Sequence, residues 1–383
     1  MQRHLYDADH EQFRSAVREF VAREVTPHRE QWDHDGLVDR TAWSAAGAQG
    51  LLGIAAPVEL GGGGVDDYRY RMVLIEELCS ADAASFNAGL SVQDDLVLPY
   101  LLDLGSQDQK SRWLPAMCAG KAIGALAMTE PGAGSDLQAV RTTARSTGDG
   151  GWVLDGQKTF ITNGILSDVA VVFARTDADA GARGFTLFLI DATTPGFRRG
   201  RKLEKLGLRG NDTAELFFDG VVLTDADVLG TVGGGFGHLM ERLPRERLSI
   251  AATSLASAQA AFDRTRAYTR ERTAFGRRVD DFQSSRFVLA EIATELDVAW
   301  TYLDRSIQLL NRGELTAVDA AKAKWWVSDL QQRVVDRCLQ LHGGYGYMLE
   351  YPIARAYADA RIQPIYGGTN EIMKEIIGRD LVR

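Results

Sequence analysis

The sequence has few cysteines and no cluster of them. Only three occur among 383 residues, Cys79, Cys118 and Cys338, and no two stand in a CxxC spacing. An odd number without close pairs is not the pattern of a disulfide scaffold or of a zinc site. We therefore predict three small, buried side chains and a reducing compartment, the cytoplasm.

The sequence also lacks basic clusters and long apolar runs. The net charge is −9, and no run of Lys and Arg is present that would follow a phosphate backbone. No apolar stretch is long enough to cross a bilayer, and the first ten residues lack the apolar core of a secretory signal. We expect a soluble, unprocessed protein that neither binds nucleic acid nor inserts into a membrane.

The length of 383 residues, with 45% hydrophobic and 25% charged residues, suits two or three packed units. The first unit, residues 1–122, has a helical pattern. One helix, which ends near Pro27, carries its apolar residues on one face, at Phe13, Val17, Phe20 and Val21. Ser106, followed three residues later by Gln109, predicts a capping box that opens another helix.

Residues 123–229 change to the composition and period of β-strands. Three runs of β-branched and aromatic residues predict strands at 169–173, 185–190 and 216–218. Residues 151–154 and 157–161 predict two more strands, joined by a two-residue turn at Asp155 and Gly156. A central β domain, a barrel or a sheet, is thus inserted between helical regions.

Residues 230–383 are again helical and suit a C-terminal four-helix bundle. An apolar stripe at helical spacing runs through Leu289, Ile292, Leu296, Trp300, Leu303, Ile307 and Leu310. Such a stripe is either core or a subunit contact, so it offers surface for assembly. The predicted fold class is mainly α with an inserted β domain.

A polar, glycine-rich segment, residues 127–136 (AMTEPGAGSD), follows a strand-like run. Gly132 and Gly134 let the backbone approach a flat ligand, and Thr129 and Ser135 supply hydroxyl groups beside it. The segment lacks the GxGxxG spacing of a nicotinamide site. Alone, it identifies no ligand.

Five segments together resemble the signatures of the acyl-CoA dehydrogenase family, in order and at similar spacing. They are residues 127–136 (AMTEPGAGSD), 160–164 (FITNG), 272–276 (RTAFG), 340–344 (QLHGG) and 365–372 (IYGGTNEI). Five matches in register over nearly the whole chain make the resemblance specific. It implies FAD as the cofactor and the acyl-CoA dehydrogenase-like fold: an N-terminal helical domain, a central β domain and a C-terminal bundle.

The resemblance also implies which residues hold FAD. The flavin ring would contact Met128, Thr129, Ser135, Phe160, Ile161 and Thr162. The pyrophosphate and adenosine half would contact Arg272 and Gln283, and an arginine suits a phosphate group. A neighbouring subunit would contribute Gln340, Gly343 and Gly344, while the dinucleotide would also contact Thr369 and Glu371. His342 resembles a wall of this site more than an acid or base.

The catalytic base is the point at which the sequence departs from most of the family. Many members carry it in a Tyr-Glu-Gly-Thr motif, but residues 366–369 read YGGT, and Gly367 cannot abstract a proton. A smaller branch places its glutamate on an earlier helix. Residues 243–248 (LPRERL) resemble that branch and nominate Glu246. The alternative is that Glu246 only pairs with neighbouring arginines on a helix surface.

The resemblance implies a reaction with few parts. Glu246 would take the α-proton of an acyl-CoA as hydride leaves the β-carbon for the flavin, which gives the trans-2-enoyl-CoA. The thioester oxygen would accept hydrogen bonds from the flavin ribityl hydroxyl and from the Gly367 amide. A desolvated carboxylate has a raised pKa and is a better base. Positions near the thioester or the CoA tail match Ser135, Arg247, Tyr268 and Gly368. No metal is implied.

The paired LPxERL and IYGGTNEIM segments are most similar to long-chain acyl-CoA dehydrogenases, although isovaleryl-CoA dehydrogenases share the placement of the base. This implies long or branched acyl chains, fatty acid β-oxidation, an electron-transferring flavoprotein as acceptor, and a homotetramer arranged as a dimer of dimers. The alternatives on the same fold are dehydrogenases of carrier-tethered chains, flavin monooxygenases and a DNA-binding relative. Glu246 favours dehydrogenation, and the acidic charge disfavours DNA binding.

Overall fold

The computed structural model describes residues 3–382, so residues 1, 2 and 383 of the predicted terminal domains lie outside the described range. The N-terminal region is helical, as predicted. Its helices are α1 (Ala8–Phe20), α2 (Arg29–Asp35), α3 (Arg40–Ala48), α4 (Tyr68–Ser80), α5 (Ala84–Ser91), α6 (Leu98–Leu104) and α7 (Gln107–Cys118).

Local signals in the sequence set the ends of two of these helices. A π-helical turn, Val21–Val25, continues α1, and the Thr26 amide still bonds to the Val21 carbonyl before Pro27 ends the helix. At the start of α7, Gln109 N donates to Ser106 Oγ at 3.2 Å, and Ser106 N donates to Gln109 Oε1 at 3.0 Å. The predicted helix end and the predicted capping box are both confirmed.

The central region is a mixed sheet, and the three predicted strand runs lie within β4, β5 and β7. Its strands are β1 (Gly124–Ala127), β2 (Thr143–Ser146), β3 (Gly151–Thr162), β4 (Val169–Arg175), β5 (Phe185–Asp191), β6 (Phe197–Lys202), β7 (Thr213–Thr224) and β8 (Val228–Leu229). They follow the order β6-β7-β3-β2-β4-β5-β8, and β1 pairs with β4 in parallel.

The predicted hairpin at Asp155 and Gly156 is wrong. β3 runs through both residues as one strand, paired with β7, and its register shifts between Leu154 and Gly156. The shift is a bulge at a close backbone approach, because a Cβ on Gly156 would lie 2.7 Å from Thr142 Cα. Gly156 is therefore required for packing within the sheet and not for a chain reversal.

The C-terminal region consists of helices, the first three of them long, with a short hairpin of β9 (Thr273–Ala274) and β10 (Arg277–Arg278) between the first two. The helices are α8 (Gly235–Glu271), α9 (Gln283–Asn311), α10 (Ala317–His342), α11 (Pro352–Ala360) and α12 (Asn370–Leu381). The apolar stripe on α9 belongs to the core of the chain's own bundle, where Ile292, Leu296 and Leu303 pack against α8 and α10. The prediction that this stripe offers surface for assembly is therefore wrong.

The three cysteines are free and buried, as predicted. Among residues 3–382, no helix combines the length and hydropathy needed to cross a membrane. The same residues contain no group of His, Cys, Asp and Glu placed to hold a metal ion.

Candidate active site

A cavity of about 490 Å³ lies where the N-terminal helices, the sheet, α8 and the segment around α11 meet. Residues assigned above to flavin contact or catalysis line it together: Met128, Thr129, Phe160, Ile161, Thr162, Glu246 and Gly367. The fold thus gathers segments that are far apart along the chain. Further lining comes from the loop after β6 and from α5, which the sequence analysis did not single out.

The wall formed by Met128 and Phe160 is held in an unusual local conformation. The Phe160 side chain is 67% exposed, and its backbone has φ of 59°, a conformation that non-glycine residues rarely adopt. Beside it, the Thr159 amide donates to the Thr129 carbonyl at 2.9 Å, which joins this strand to the glycine-rich segment. Both the strained backbone and the exposure of the ring cost folding free energy. The exposed ring is available to stack on a flat ligand.

A buried ion pair fixes the glycine-rich segment to the sheet. Lys158 Nζ lies 2.9 Å from Glu130 Oε1, and it also donates to the carbonyls of Met128 at 2.9 Å and of Phe173 at 2.7 Å. The Glu130 carboxylate further accepts the Thr142 amide at 2.9 Å. Burial lowers the pKa of Lys158 to about 8, and the charge of Glu130 opposes that shift. The ammonium group therefore remains charged at neutral pH and anchors the segment.

Glu246 lies on α8 with its carboxyl group in the wall of the cavity and is only 8% exposed. Burial raises its pKa to about 7, while the positive charges of Arg247 and Lys324 oppose the shift. Arg242, one of the alternative partners, instead forms salt bridges with Asp103 at 3.1 Å and with its neighbour Glu241. Glu246 is thus a buried carboxylate facing a cavity and not half of a surface pair.

Gly367 lies close to Glu246 in the lining of the same cavity. Gly367 and Gly368 form a turn in which both residues have positive φ, 62° and 92°. A Cβ on Gly367 would lie 3.6 Å from Glu246 Oε1 but only 2.2 Å from Ile250 Cδ1. A side chain at this position would therefore reach the same space as Glu246, and Ile250 would have to move to admit it.

Lys324 of α10 supports this turn from behind and was not identified from the sequence. Its buried ammonium group donates to the Gly368 carbonyl at 2.7 Å and to Asn370 Oδ1 at 3.1 Å. Asn370 is held in turn by Ser328, whose Oγ lies 3.1 Å from the same oxygen. Burial lowers the pKa of Lys324 to about 8. Its position among the small apolar residues Ala320, Ala321 and Ala323 of α10 is the sequence signal that could have drawn attention to it.

A second pocket of about 450 Å³ collects another group of the predicted residues. Its lining includes Tyr268, Arg272, Gln340, Gly343 and Gly344. Tyr268 stacks on His342 with ring centroids 4.2 Å apart and donates to the His342 carbonyl at 3.2 Å. His342 Nδ1 lies 2.9 Å from the Cys338 carbonyl, which suits a wall residue.

The two pockets are separate in one chain. Glu246 and Tyr268 lie on the same helix, 22 residues apart, which at 1.5 Å per residue is about 33 Å. Tyr268 therefore does not reach the cavity of Glu246 in its own chain.

Other predicted residues also lie outside both linings: Ser135 and Gln283 on the surface, Thr369 and Glu371 at the start of α12, Gly368 in the turn, and Arg247 buried beside Glu246.

Three sequence profiles cover almost the whole chain. The acyl-CoA dehydrogenase N-terminal domain matches residues 7–121, the middle domain residues 125–221, and the C-terminal domain residues 233–382. The chain belongs to the acyl-CoA dehydrogenase family. It is therefore an oxidoreductase, and its family is FAD-dependent.

Individual relatives agree with this family assignment. A Sus scrofa protein named long-chain specific acyl-CoA dehydrogenase, mitochondrial, is 48% identical over 99% of this chain and 88% of its own length. The crystal structure of an acyl-CoA dehydrogenase from Geobacillus kaustophilus superposes with a TM-score of 0.96 at 43% identity, over 99% of this chain and 100% of that one. A Mycobacterium smegmatis glutaryl-CoA dehydrogenase in complex with FADH2 gives 0.92 at 30% identity, over 98% and 95%.

The residues present fit FAD. A Cβ added to Gly132, Gly134, Gly343 or Gly344 would meet nothing within 4 Å. The backbone is therefore open to a ligand both at the glycine-rich segment and at the second pocket. Phe160 and its neighbours offer an apolar wall for the flavin ring, and Arg272 in the second pocket offers a cation for the pyrophosphate.

Proposed function

We propose that this protein removes the α-proton and the β-hydride of a long or branched fatty acyl-CoA, and that Glu246 is the base. The observation that carries the proposal is the buried Glu246 carboxylate facing the glycine turn at 367 and 368, in the cavity that also contains the flavin wall. The 48% identity to a long-chain relative supports the chain length. Fatty acid β-oxidation is the matching pathway.

Glu246 acts first on the α-carbon. Its carboxylate accepts the α-proton, the C–H electron pair becomes the new C=C bond, and the hydride leaves the β-carbon. FAD, when bound, supplies the acceptor for that hydride. Burial raises the basicity of Glu246, because a desolvated carboxylate gains more on protonation than one in water.

The Gly367 turn stabilises the charge that develops on the thioester oxygen. An N–H group fixed by surrounding bonds costs no reorganisation when charge appears, and this is the main advantage of a preorganised donor. Lys324 and Asn370 fix the turn through the Gly368 carbonyl and the start of α12. Gly367 thus keeps a donor role in a position where other family members carry the base.

The split of the FAD-binding residues between two pockets supports a homotetramer built as a dimer of dimers. The 33 Å between Tyr268 and Glu246 leaves the second pocket free to serve a cofactor bound mainly to another subunit. In such an arrangement Tyr268 contacts the substrate, and Arg272 the FAD, of a neighbouring subunit. An electron-transferring flavoprotein then collects the electrons.

Anaerobic titration tests the proposal directly. The purified holoenzyme is mixed with straight and branched acyl-CoAs of graded length, and flavin absorbance is followed. Acyl-CoAs of the preferred length should bleach the flavin with stoichiometric formation of the 2-enoyl thioester. If FAD is still bound and none of the acyl-CoAs bleaches it, the proposal is contradicted.

A further inference from the structure

Hydroxyl groups line the active-site cavity beyond Glu246. Glu246, Ser249 and Thr253 lie on one face of α8 and all line the cavity. At 1.5 Å per residue, Ser249 is about 4.5 Å and Thr253 about 10 Å from Glu246 along the helix axis. Ser91 of α5 adds a third hydroxyl to the same cavity. An acyl chain that runs from Glu246 along α8 therefore passes polar groups and not only hydrocarbon.

A buried ion pair orients two of these hydroxyls. Arg71 Nε lies 3.1 Å from Asp95 Oδ2, and both side chains are buried. Ser249 Oγ donates to the same Asp95 oxygen at 2.6 Å, and with the Tyr68 hydroxyl beside it, it keeps one lone pair for a further donor. Ser91 Oγ accepts from Arg71 Nη2 at 2.6 Å, so its own proton remains for another acceptor. The pair thus presents one acceptor and one donor to the cavity.

Thr253 adds a second donor. Its Oγ1 accepts from Nδ2 of the fully buried Asn87 at 3.0 Å. Within residues 3–382, the structure shows no acceptor for the hydroxyl protons of Ser91 and Thr253. A plain hydrocarbon chain would leave these groups without partners in a dry pocket, which carries a free-energy cost.

We propose that the preferred acyl chain carries a hydroxyl group beyond its β-carbon, bound by Ser91, Ser249 and Thr253. This inference rests on the proposed acyl-CoA dehydrogenation and narrows its substrate class. A hydroxyl both donates and accepts, which matches the set in the cavity. A neutral group on the acyl chain is favoured over a carboxylate, because the positive charge of Arg71 is already balanced by the negative charge of Asp95.

A binding experiment separates recognition from turnover. Pairs of S-alkyl-CoA thioethers, with and without one hydroxyl, cannot be dehydrogenated because they lack the carbonyl that acidifies the α-carbon. With the hydroxyl scanned along the chain, the holoenzyme should bind one hydroxylated isomer about tenfold more tightly than its plain counterpart. In Thr253→Val and Ser249→Ala, the preference should fall towards unity. Ser254→Ala should retain it, since Ser254 is buried on the same helix, bonds to Gln363 and does not line the cavity.

Turnover of the matching acyl-CoAs provides a second readout. The ratio of kcat/KM for hydroxylated over plain chains should follow the binding ratio in the wild type and in each variant. Equal binding of both thioethers at every hydroxyl position, in wild type and variants alike, would overturn the inference and leave the polar network a structural role. If no acyl-CoA bleaches the flavin, the proposed function fails instead, while the thioether result still decides this inference.

Discussion

At the scale of single residues, Glu246 carries the most specific prediction. Glu246→Gln keeps nearly the same shape and removes the basic carboxylate. FAD and acyl-CoA should remain bound, while the rate of flavin reduction in stopped flow should fall by about 10²–10⁴-fold. Near-normal reduction in this variant would show that another group is the base.

The pH dependence of the same step follows from the pKa of Glu246. Only the ionised carboxylate accepts a proton, and burial raises this pKa to about 7. Flavin reduction by the wild type should therefore rise with pH through about 7 and level off above it. The residual rate of Glu246→Gln should lack this rise, because the titrating group is gone.

Moving the base to position 367 tests whether the two sites serve one α-carbon. A Cβ on Gly367 would lie 3.6 Å from Glu246 Oε1, so Glu246→Gln with Gly367→Glu should regain part of the lost rate. The gain should be small in this pair, since the Cβ also lies 2.2 Å from Ile250 Cδ1. Adding Ile250→Ala should increase it. If the triple variant is as slow as Glu246→Gln with Ile250→Ala, the positions do not share a target.

The sequence could predict these two residues but not their setting. A family motif located Glu246 and explained Gly367, because both depend on short local patterns. The contact of Gly367 with Ile250 and the support from Lys324 depend on how α8 and α10 pack against the last turn. No spacing rule relates residues on separate helices, so these partners appear only in the folded chain.

At the scale of secondary structure elements, Lys324 links α10 to the turn at 367 and 368. In Lys324→Met, the Gly368 carbonyl loses its buried donor and the Gly367 N–H is fixed less firmly, so we expect kcat to fall by up to about 10²-fold, the effect of losing a preorganised donor outright. The positive charge that lowers the pKa of Glu246 is also removed. The pH profile should therefore move to higher pH.

Lys322→Met provides the matched control, since Lys322 lies two residues away on α10 and is half-buried. Its kcat and pH profile should match those of the wild type. An unshifted pH profile in Lys324→Met, measured with FAD still bound, would limit Lys324 to a purely structural role.

The strand β3 shows why local patterns mislead within a sheet. Asp-Gly between apolar runs is a strong hairpin signal. In this chain, pairing with β2 and β7 on both sides keeps the segment extended, and the glycine serves a bulge against Thr142. Helix ends such as Ser106 with Gln109 were predictable because every atom involved lies within four residues.

At the scale of the whole molecule, the second pocket is surrounded by exposed aromatic and apolar side chains. Phe275 is 97% and Tyr347 83% exposed, and Arg272 lies over the Tyr345 ring at 5.4 Å. Exposed aromatic side chains grouped in this way are typical of an interaction surface, and they adjoin residues assigned to FAD. The apolar stripe of α9 is buried within the chain, so this patch is the better candidate for a subunit contact.

We therefore expect FAD retention and assembly to depend on each other. Phe275→Asp places a charge in the patch, and it should shift the protein from the proposed tetramer towards smaller species in sedimentation velocity, with loss of FAD on dilution. Val222→Asp is the control, because Val222 is 69% exposed on β7 in the central sheet. It should leave both the oligomeric state and the retention of FAD unchanged. The two readouts should change together, since a cofactor that spans two subunits stabilises their association by its own binding free energy. A monomer that keeps FAD at micromolar concentration would show instead that each chain holds its cofactor alone.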